Sequence, residues 1–426
     1  MQTQLAPQFA NTPEGIEAAH ILEKCVHCGF CTATCPTYQI LGDELDGPRG
    51  RIYLIKQIAE GAIPTEKTRT HLDRCLTCRN CESTCPSGVQ YGNLIDIGRK
   101  WAEDNTPTRP LAERITRWAL KEGLTTPALF NSAMAFGRLV RPLMPAGMKR
   151  KIPQVKNPAL AKSTNPYARP QASHSRKMLL LEGCVQPSML PNINSATARV
   201  LDALKIQLIS APNATCCGAL RYHLNDQDGG LSNAKQNIDA WWPLIEQDIE
   251  AIVMTASGCG VMVKDYGHLL ARDPHYAKKA QKISELTKDI SEILPALQEE
   301  LIELIGAEPK NGVVYHPPCT LQHGQQIRGK VEGLLSSIGI AVKLCADSHL
   351  CCGSAGTYSV TQPALSEQLR KQKLAQLQIA CNESGATTIV SGNIGCITHL
   401  QHDETPVLHW IEIVDQLIEQ KKSASA

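Results

Sequence analysis

Two copies of one cysteine motif, fifty residues apart, constrain the fold of this chain more than any other feature. Both copies have the spacing C-x-x-C-x-x-C-x-x-x-C: the first is Cys25, Cys28, Cys31 and Cys35, and the second is Cys75, Cys78, Cys81 and Cys85. A proline follows each copy, at positions 36 and 86. Two-residue gaps let one tight loop present three thiolates to three corners of a cube, and the proline ends that loop.

This spacing is typical of a pair of [4Fe–4S] clusters in which the fourth cysteine of each copy binds the other cluster. The sequence therefore predicts one cluster on Cys25, Cys28, Cys31 and Cys85, and a second on Cys75, Cys78, Cys81 and Cys35. Zinc is the alternative, because two C-x-x-C pairs can bind it tetrahedrally. A zinc site does not need a third and a fourth cysteine followed by proline in two copies, so we predict clusters that carry single electrons.

Helix-like segments separate the motifs. Residues 51–60 are good helix formers with apolar Ile52, Ile55 and Ile58, Gly61 suits a C-cap, and 93–103 is again helix-like. We therefore predict an α-helical ferredoxin domain over 11–105. Basic and imidazole side chains near the motifs either donate hydrogen bonds to cluster sulfides or form solvated surface charge: His27, Arg49, Arg51, His71, Arg74 and Arg79.

The next segment, 106–177, is basic. From Trp101 to Lys177 there are fourteen Lys and Arg against four Asp and Glu, although the whole chain carries only +2. We expect apolar helix faces around Leu111, Ile115 and Trp118 and then around Phe130 and Phe136, and a linker over 151–177. Such a segment suits an anionic membrane surface, an acidic partner or a plain connector. Neither charge nor motif favours nucleic acid.

The C-terminal half contains an internal duplication of four cysteines. The first set is Cys184, Cys216, Cys217 and Cys259, and the second is Cys319, Cys351, Cys352 and Cys396. The period is 135 residues for three positions and 137 for the last. Cys345 and Cys381 have no counterparts, so we interpret them as ordinary thiols.

Short apolar runs precede each repeated cysteine and helix-length segments separate them, which predicts two small α/β units with parallel sheets, over 178–300 and 310–420. The fold class is thus multidomain: a helical ferredoxin followed by a duplicated α/β domain. Cysteines at the carboxyl ends of strands lie where open α/β sheets place their sites. These eight thiols hold further clusters or metal, act as redox thiols, or are inert and buried.

These residues resemble a known family. The two Cys-Cys-Gly segments are similar to the CCG domain of heterodisulfide reductase and lactate-utilisation proteins, and a helical two-cluster ferredoxin joined to two CCG domains resembles the iron–sulfur subunit of bacterial glycolate oxidase. The anaerobic glycerol-3-phosphate dehydrogenase subunit is similar too. The resemblance is carried by four stretches: CVHCGFCTATCP at 25–36, GPRGRIY at 47–53, NIDAWWP at 237–243 and SHLCCGSAGTY at 348–358.

The resemblance implies a complex. A separate FAD-binding dehydrogenase subunit would oxidise glycolate to glyoxylate, a second flavin-type subunit would assist, and the iron–sulfur subunit would pass electrons to quinone or another membrane acceptor. FAD is expected on the partner, because this chain has no G-x-G-x-x-G after a strand. Equivalent lactate or glycerol-3-phosphate complexes, and a CCG-type thiol or disulfide reductase, are the alternatives. The reductase version ends in C-x-x-C, whereas Ala256 and Asn393 stand at the first of those positions here.

The cellular setting follows from the cysteines and the N-terminus. Eighteen cysteines at metal-ligand spacings, with no apolar signal segment after Met1, indicate a reducing compartment. No apolar run approaches a membrane span. We expect a cytoplasmic protein, peripheral on the inner membrane.

Overall fold

The computed structural model describes residues 1–143, 152, 168–402 and 405–425. Most of the predicted linker at 151–177 lies outside these residues. Within them, the predicted fold class is confirmed: a helical N-terminal unit is followed by two α/β units with small parallel sheets. The domain boundaries drawn from the sequence stay predictions.

The N-terminal unit is built of short helices joined by tight loops. Prolines occupy the first turn of Pro13–Lys24, Pro36–Leu41 and Pro48–Ala59, where the missing N–H costs no hydrogen bond. Gly61 follows the last of these with φ +99°. The helices are Pro7–Ala10, Pro13–Lys24, Phe30–Ala33, Pro36–Leu41, Glu44–Asp46 (3₁₀), Pro48–Ala59, Glu66–Asp73, Asn80–Thr84 and Tyr91–Asn105.

The two cysteine loops bend at equivalent positions. His27 and Gly29 in the first motif, and Thr77 and Arg79 in the second, all have positive φ. Three of these four are not glycine, and the left-handed conformation costs such residues roughly 1–2 kcal/mol each. The repeated strain shows that both loops adopt the same tight curve around their cysteines.

Each C-terminal repeat contains one four-stranded parallel sheet. The strands are β1 (Arg176–Leu180), β2 (Ile206–Ser210), β3 (Ile252–Met254), β4 (Thr287–Asp289), β5 (Lys310–His316), β6 (Ile340–Leu344), β7 (Ile389–Ser391) and β8 (Val407–His409). The orders β2-β1-β3-β4 and β6-β5-β7-β8 are the same topology twice. The fourth strand of each sheet, β4 and β8, is absent from the sequence-based prediction.

Helices cover both sheets and form the connector. The connector helices are Leu111–Thr125, Pro127–Val140 and Arg141–Leu143 (3₁₀). The helices of the first repeat are Gln186–Met189, Asn192–Ala203, Ala219–His223, Gln227–Ile245, Ser257–Lys264, Tyr266–Leu269, Ala277–Leu286, Ile290–Ile293, Leu294–Leu297 (3₁₀) and Gln298–Ile305. Those of the second are Thr320–Gly324 (a π turn), Lys330–Ser337, Tyr358–Thr361, Pro363–Ser384, Ile394–Leu400 and Trp410–Ser425.

The two repeats share one hydrophobic core. Leu180 and Val253 of the first sheet belong to the same buried cluster as Val314 and Val390 of the second. The helices Asn192–Ala203 and Trp410–Ser425 pack together across the junction. Because the core is continuous, the two sheets have a fixed relation and their cysteine-bearing edges can face a common space.

No helix in the described part of the chain is both long and apolar enough to cross a bilayer.

Candidate metal centres

The structure gathers four thiols of the N-terminal unit in the crosswise combination. Burial, followed by the neighbouring Cys25, Cys85 and Cys28, raises the pKa of the Cys31 thiol to about 11. The same cysteines line one small cavity. We call Cys25, Cys28, Cys31 and Cys85 the surface set, because Cys28 is exposed.

A second group of thiols lies deeper. Burial and the adjacent Cys78, Cys75 and Cys35 hold the pKa of Cys81 well above its ordinary value. The Thr77 backbone N–H donates to the Cys75 sulfur over 3.4 Å, and the Tyr91 hydroxyl donates to it over 3.7 Å. We call Cys35, Cys75, Cys78 and Cys81 the inner set.

The spacing of these thiols tests whether they fit a cluster. A single ion requires at least three ligand atoms close together. In the described part of the chain, no N-terminal cysteine belongs to a group of three candidate ligand atoms that lie within 4.8 Å of one another. The thiols of the surface and inner sets are therefore spaced more widely than ligands of a single zinc ion. A cubane cluster binds each thiolate through a different iron, so both sets fit a cluster better than zinc.

One buried polar atom beside the surface set lacks a hydrogen-bond partner. His27 lines the same cavity as the four thiols, and its Nε2 is buried with no hydrogen-bond partner among the described residues. A buried imidazole nitrogen without a partner is costly. An acceptor inside that cavity, such as the sulfide of a cluster, would satisfy it.

The other basic side chains near the motifs contact carboxylates. The buried carboxylate of Asp46 binds Arg74 at 2.9 Å and His71 at 3.1 Å, and Arg51 lies 3.5 Å from it. Arg49 pairs with Glu44 at 2.6 Å. These contacts hold the loops around the thiols in place. Solvated surface charge, one of the two interpretations of these side chains, is wrong for Arg51, which is fully buried.

Arg79 joins the second motif to the first repeat. Its guanidinium forms an ion pair with Asp265 at 2.9 Å. A Cβ at Gly92 would lie 2.5 Å from its Nε, so the glycine leaves room for this position of the Arg79 side chain. The ion pair compensates in part for the left-handed backbone of Arg79.

The repeated C-terminal cysteines lie at equivalent places in both halves. In each repeat the first follows the central strand, the adjacent pair follows the next strand, and the last lies in the helix after the third strand. The carboxyl ends of parallel strands meet at one edge, so four thiols converge in each half. Cys319 and Cys351 are 3.7 Å apart between sulfurs.

The glycine of each Cys-Cys-Gly segment has a defined role. Gly218 and Gly353 have φ of +91° and +89°, and their N–H groups donate to the sulfurs of Cys216 and Cys351 over 3.5 and 3.4 Å. A Cβ at either position would meet a backbone oxygen, of Gly230 at 2.4 Å or Ser366 at 2.7 Å. Only glycine therefore fits these turns.

A central cavity of about 1650 Å³ lies between the N-terminal unit, the connector and both repeats. All eight repeated cysteines line it, together with Cys75 and Cys78 of the inner set. The repeats meet at its wall, where the Ser257 and Thr320 hydroxyls are 2.7 Å apart. One space therefore connects part of the inner set with both sets of repeated cysteines.

The inner set touches the second repeat directly. Cys78 and Cys319 pack against a small apolar cluster that includes Cys351, Leu76 and Leu369. Hydrogen bonds cross the same boundary: the Asn80 amide donates to the His349 carbonyl over 3.3 Å, and the Tyr358 hydroxyl donates to the Arg74 carbonyl over 2.9 Å. This contact is fixed by packing and by hydrogen bonds.

Sequence reasoning missed His316. This residue ends β5, is 1 % exposed, and its ring lies within 4.8 Å of the sulfurs of Cys352 and Cys396. Burial lowers the pKa of its imidazole well below the ordinary value. A single histidine after an apolar run does not belong to any motif of metal-ligand spacing. Only comparison of the two repeats, where Leu181 and His316 are equivalent, would have indicated it.

Family profiles match three parts of the chain. The 4Fe-4S dicluster domain matches residues 21–89, and the cysteine-rich domain matches residues 178–264 and 313–401. The matched ranges contain both N-terminal motifs and both sets of repeated cysteines.

Whole-chain comparison finds similar proteins. The chain is 51% identical to the glycolate oxidase iron-sulfur subunit of Escherichia coli (strain K12), over 99% of this chain and 100% of that protein. It is 32% identical to the probable glycolate oxidase iron-sulfur subunit of Bacillus subtilis (strain 168), over 89% and 88%. Lactate utilization protein A of Bacillus pumilus is 26% identical, over 53% of this chain and 90% of that protein.

Proposed function

The chain belongs to the family of glycolate oxidase iron–sulfur subunits, and from this premise we propose that it relays single electrons within a flavin-dependent glycolate dehydrogenase complex. In that complex a FAD-binding subunit oxidises glycolate to glyoxylate, a second flavin-type subunit assists, and this chain passes the electrons towards quinone or another membrane acceptor. The observation that best supports this proposal is that the surface set reaches the surface at Cys28, while the inner set borders the second repeat.

We assign a [4Fe–4S] cluster to each N-terminal set, with Cys25, Cys28, Cys31 and Cys85 as ligands of one and Cys75, Cys78, Cys81 and Cys35 as ligands of the other. When bound, such clusters accept and release one electron at a time. The protein holds the ligands in place by the strained loops, by the Asp46 ion pairs and by the hydrogen bonds to Cys75. Sharing of the fourth cysteines links the two halves of the unit.

The surface set carries an apolar rim that fits a docking site for the flavin-binding partner. Val26 is 68% exposed, Phe30 is 61% exposed and Tyr53 is 47% exposed, and all three lie on or beside the loop that presents Cys28. Exposed large apolar side chains grouped around a functional thiol are typical of an interaction site. Docking there would bring the flavin close to the first electron carrier of this chain.

Replacing Phe30 by aspartate tests this docking site. The change removes an apolar anchor and introduces a charge, so the dissociation constant for the FAD-binding subunit should rise about thirtyfold, as loss of a 2 kcal/mol anchor predicts. Ile379→Asp is the matched control, because Ile379 is 49% exposed on a helix of the second repeat. Equal affinities of the two variants, measured by calorimetry, would contradict the proposed site.

The connector supports a peripheral position on the inner membrane. Leu111, Ile115 and Trp118 are 67%, 55% and 62% exposed on one helix, and Phe136 and Leu139 are 65% and 76% exposed on the next. Phe130 and Met134 of the second helix are instead buried and attach it to the protein. Apolar side chains beside a strongly basic segment suit an anionic lipid surface.

Cosedimentation with vesicles tests the membrane proposal. The chain should bind vesicles of phosphatidylglycerol and phosphatidylethanolamine, and Trp118→Ser with Phe136→Ser should weaken binding at least about tenfold, because each buried aromatic contributes roughly 1.5–3 kcal/mol. Ile379→Ser should bind like the parent chain. Unchanged binding of the double variant would show that this face does not contact lipid.

Reduction by substrate tests the proposed function itself. Glycolate added anaerobically to this chain and its FAD-binding partner should bleach the iron–sulfur absorption of the chain and produce an EPR signal of reduced clusters. Glycolate added to the chain alone should do neither, since this subunit is not expected to oxidise the substrate. Reduction by lactate or glycerol 3-phosphate in place of glycolate would reject the assigned substrate, and no reduction by any of them would reject the relay.

A further inference from the structure

His316 is buried at a place where its ring has no partner. Neither Nδ1 nor Nε2 has a hydrogen-bond partner in the described part of the chain, although the side chain is almost fully shielded. Leaving a buried polar group unpaired costs about 1–3 kcal/mol. A bound group that is not part of the polypeptide would remove this cost by binding the ring nitrogen.

Two thiols that can bind metal lie close to this ring. The sulfurs of Cys352 and Cys396 and a ring nitrogen of His316 all lie within 4.8 Å of one another. Zinc with bonds of about 2.3 Å to sulfur and about 2.0–2.1 Å to nitrogen places tetrahedral ligand atoms roughly 3.5–4 Å apart. The three atoms are therefore close enough for a single ion, and closer than ligands that bind different irons of a cubane.

The charge of this site also suits one divalent ion. Two thiolates and a neutral imidazole balance the charge of Zn²⁺, and the three residues are 4% exposed or less. A buried group of zero net charge avoids most of the penalty for burying an isolated ion.

We propose that His316, Cys352 and Cys396 bind one zinc ion in the second repeat. Three protein ligands leave one tetrahedral position open. Cys352 and Cys396 line the central cavity, so the open position is reached from there. This site is additional to the electron relay and does not depend on it.

The first repeat has no equivalent of this ligand. Leu180 pairs with Val253 in the first sheet as Tyr315 pairs with Val390 in the second, so the residue after each, Leu181 and His316, occupies the same place. Leu181 cannot bind a metal and belongs to the apolar core of its repeat. The duplicated halves have therefore diverged, and only the second has the three-ligand site.

The proposed ion would fix the contact between the second repeat and the inner set. Its ligands come from the ends of three segments: β5, the Cys-Cys-Gly loop and the helix after β7. Cys351, next to ligand Cys352, belongs to the apolar cluster around Cys78. Holding these segments together keeps that cluster in register with the N-terminal unit.

Metal analysis of the full chain, purified anaerobically with its clusters, tests the proposal. The parent chain should contain about one zinc, and His316→Leu should contain none while its iron stays unchanged. This variant reproduces the residue of the first repeat, and Cys396→Ala provides a second, independent loss of the same zinc. A cobalt-substituted chain should show thiolate-to-cobalt absorption that both variants lose.

His409→Leu is the matched control. His409 is equally buried, but its ring nitrogens already have partners, the Thr255 carbonyl and the Ile411 N–H, each at 3.1 Å. Zinc should remain at about one in this variant. A parent chain without zinc, a zinc content unchanged by His316→Leu, or loss of iron in place of zinc in that variant would overturn the proposal.

Discussion

Replacing Cys85 by serine is expected to remove the cluster of the other motif. Cys85 is the last cysteine of the second motif in sequence, but it lies with Cys25, Cys28 and Cys31 of the first motif in the structure. Serine is a poor ligand for iron, so this cluster should be lost or reduced to an unstable form. Iron should fall from about eight to about four per chain, because each [4Fe–4S] cluster contributes four.

The reciprocal variant identifies which cluster is lost. Cys35→Ser should damage the cluster of the inner set, since Cys35 lies with Cys75, Cys78 and Cys81. The two variants should leave EPR signals that differ from each other and together make up the parent spectrum. If Cys85→Ser instead removed the signal that Cys75→Ser removes, each motif would hold its own cluster and the crosswise assignment would be wrong.

Replacing Gly353 by alanine is expected to destabilise the second repeat strongly. The left-handed backbone costs alanine about 1–2 kcal/mol. The new Cβ would also meet the Ser366 carbonyl at 2.7 Å and the Leu369 Cβ at 2.8 Å. Overpacking of this kind adds roughly 1–3 kcal/mol. Hydrogen exchange should show faster opening of the helix Pro363–Ser384, by a factor of about 30 or more.

Gly356→Ala separates the two causes. Gly356 also has a positive φ, +63°, but no heavy atom lies within 4 Å of a Cβ built there. Alanine at position 356 should be destabilising only through the backbone conformation, and exchange in the same helix should accelerate less than about thirtyfold. Similar effects of both variants would show that the contact with Ser366 and Leu369 relaxes without cost.

Much of the site could be predicted because cysteine spacing encodes ligand geometry. The motifs at 25–35 and 75–85 indicate two clusters, and the 135-residue period indicates two similar α/β units with thiols at strand ends. The likeness to glycolate oxidase iron–sulfur subunits, carried by these motifs, is confirmed by the whole-chain comparison.

Other features were beyond the reach of sequence patterns. β4 and β8 are not followed by a repeated cysteine, so the pattern that indicates the equally short β3 and β7, a run before each repeated cysteine, does not extend to them. His316 lies beside Cys352 and Cys396 only because the fold brings together segments that are far apart in the chain. Phe130 and Phe136 lie six positions apart on one helix, yet one is buried and the other exposed, because only tertiary packing decides which apolar face is covered.

The contact between the inner set and the second repeat is likewise a tertiary property. Cys78 lies beside Cys319 and Cys351, although more than 200 residues separate them in sequence. Neither motif predicts this proximity. It joins the inner set to the repeated cysteines that line the central cavity.

Iron and acid-labile sulfide in the anaerobically purified chain, measured together with EPR after reduction, test the central claim most directly. Two clusters predict about eight irons and eight sulfides per chain, with the signals of reduced [4Fe–4S] centres. About twelve or sixteen irons would indicate one or two further clusters in the repeats, in addition to the two N-terminal clusters. A chain without iron and sulfide, with zinc on the N-terminal cysteines, would contradict the account.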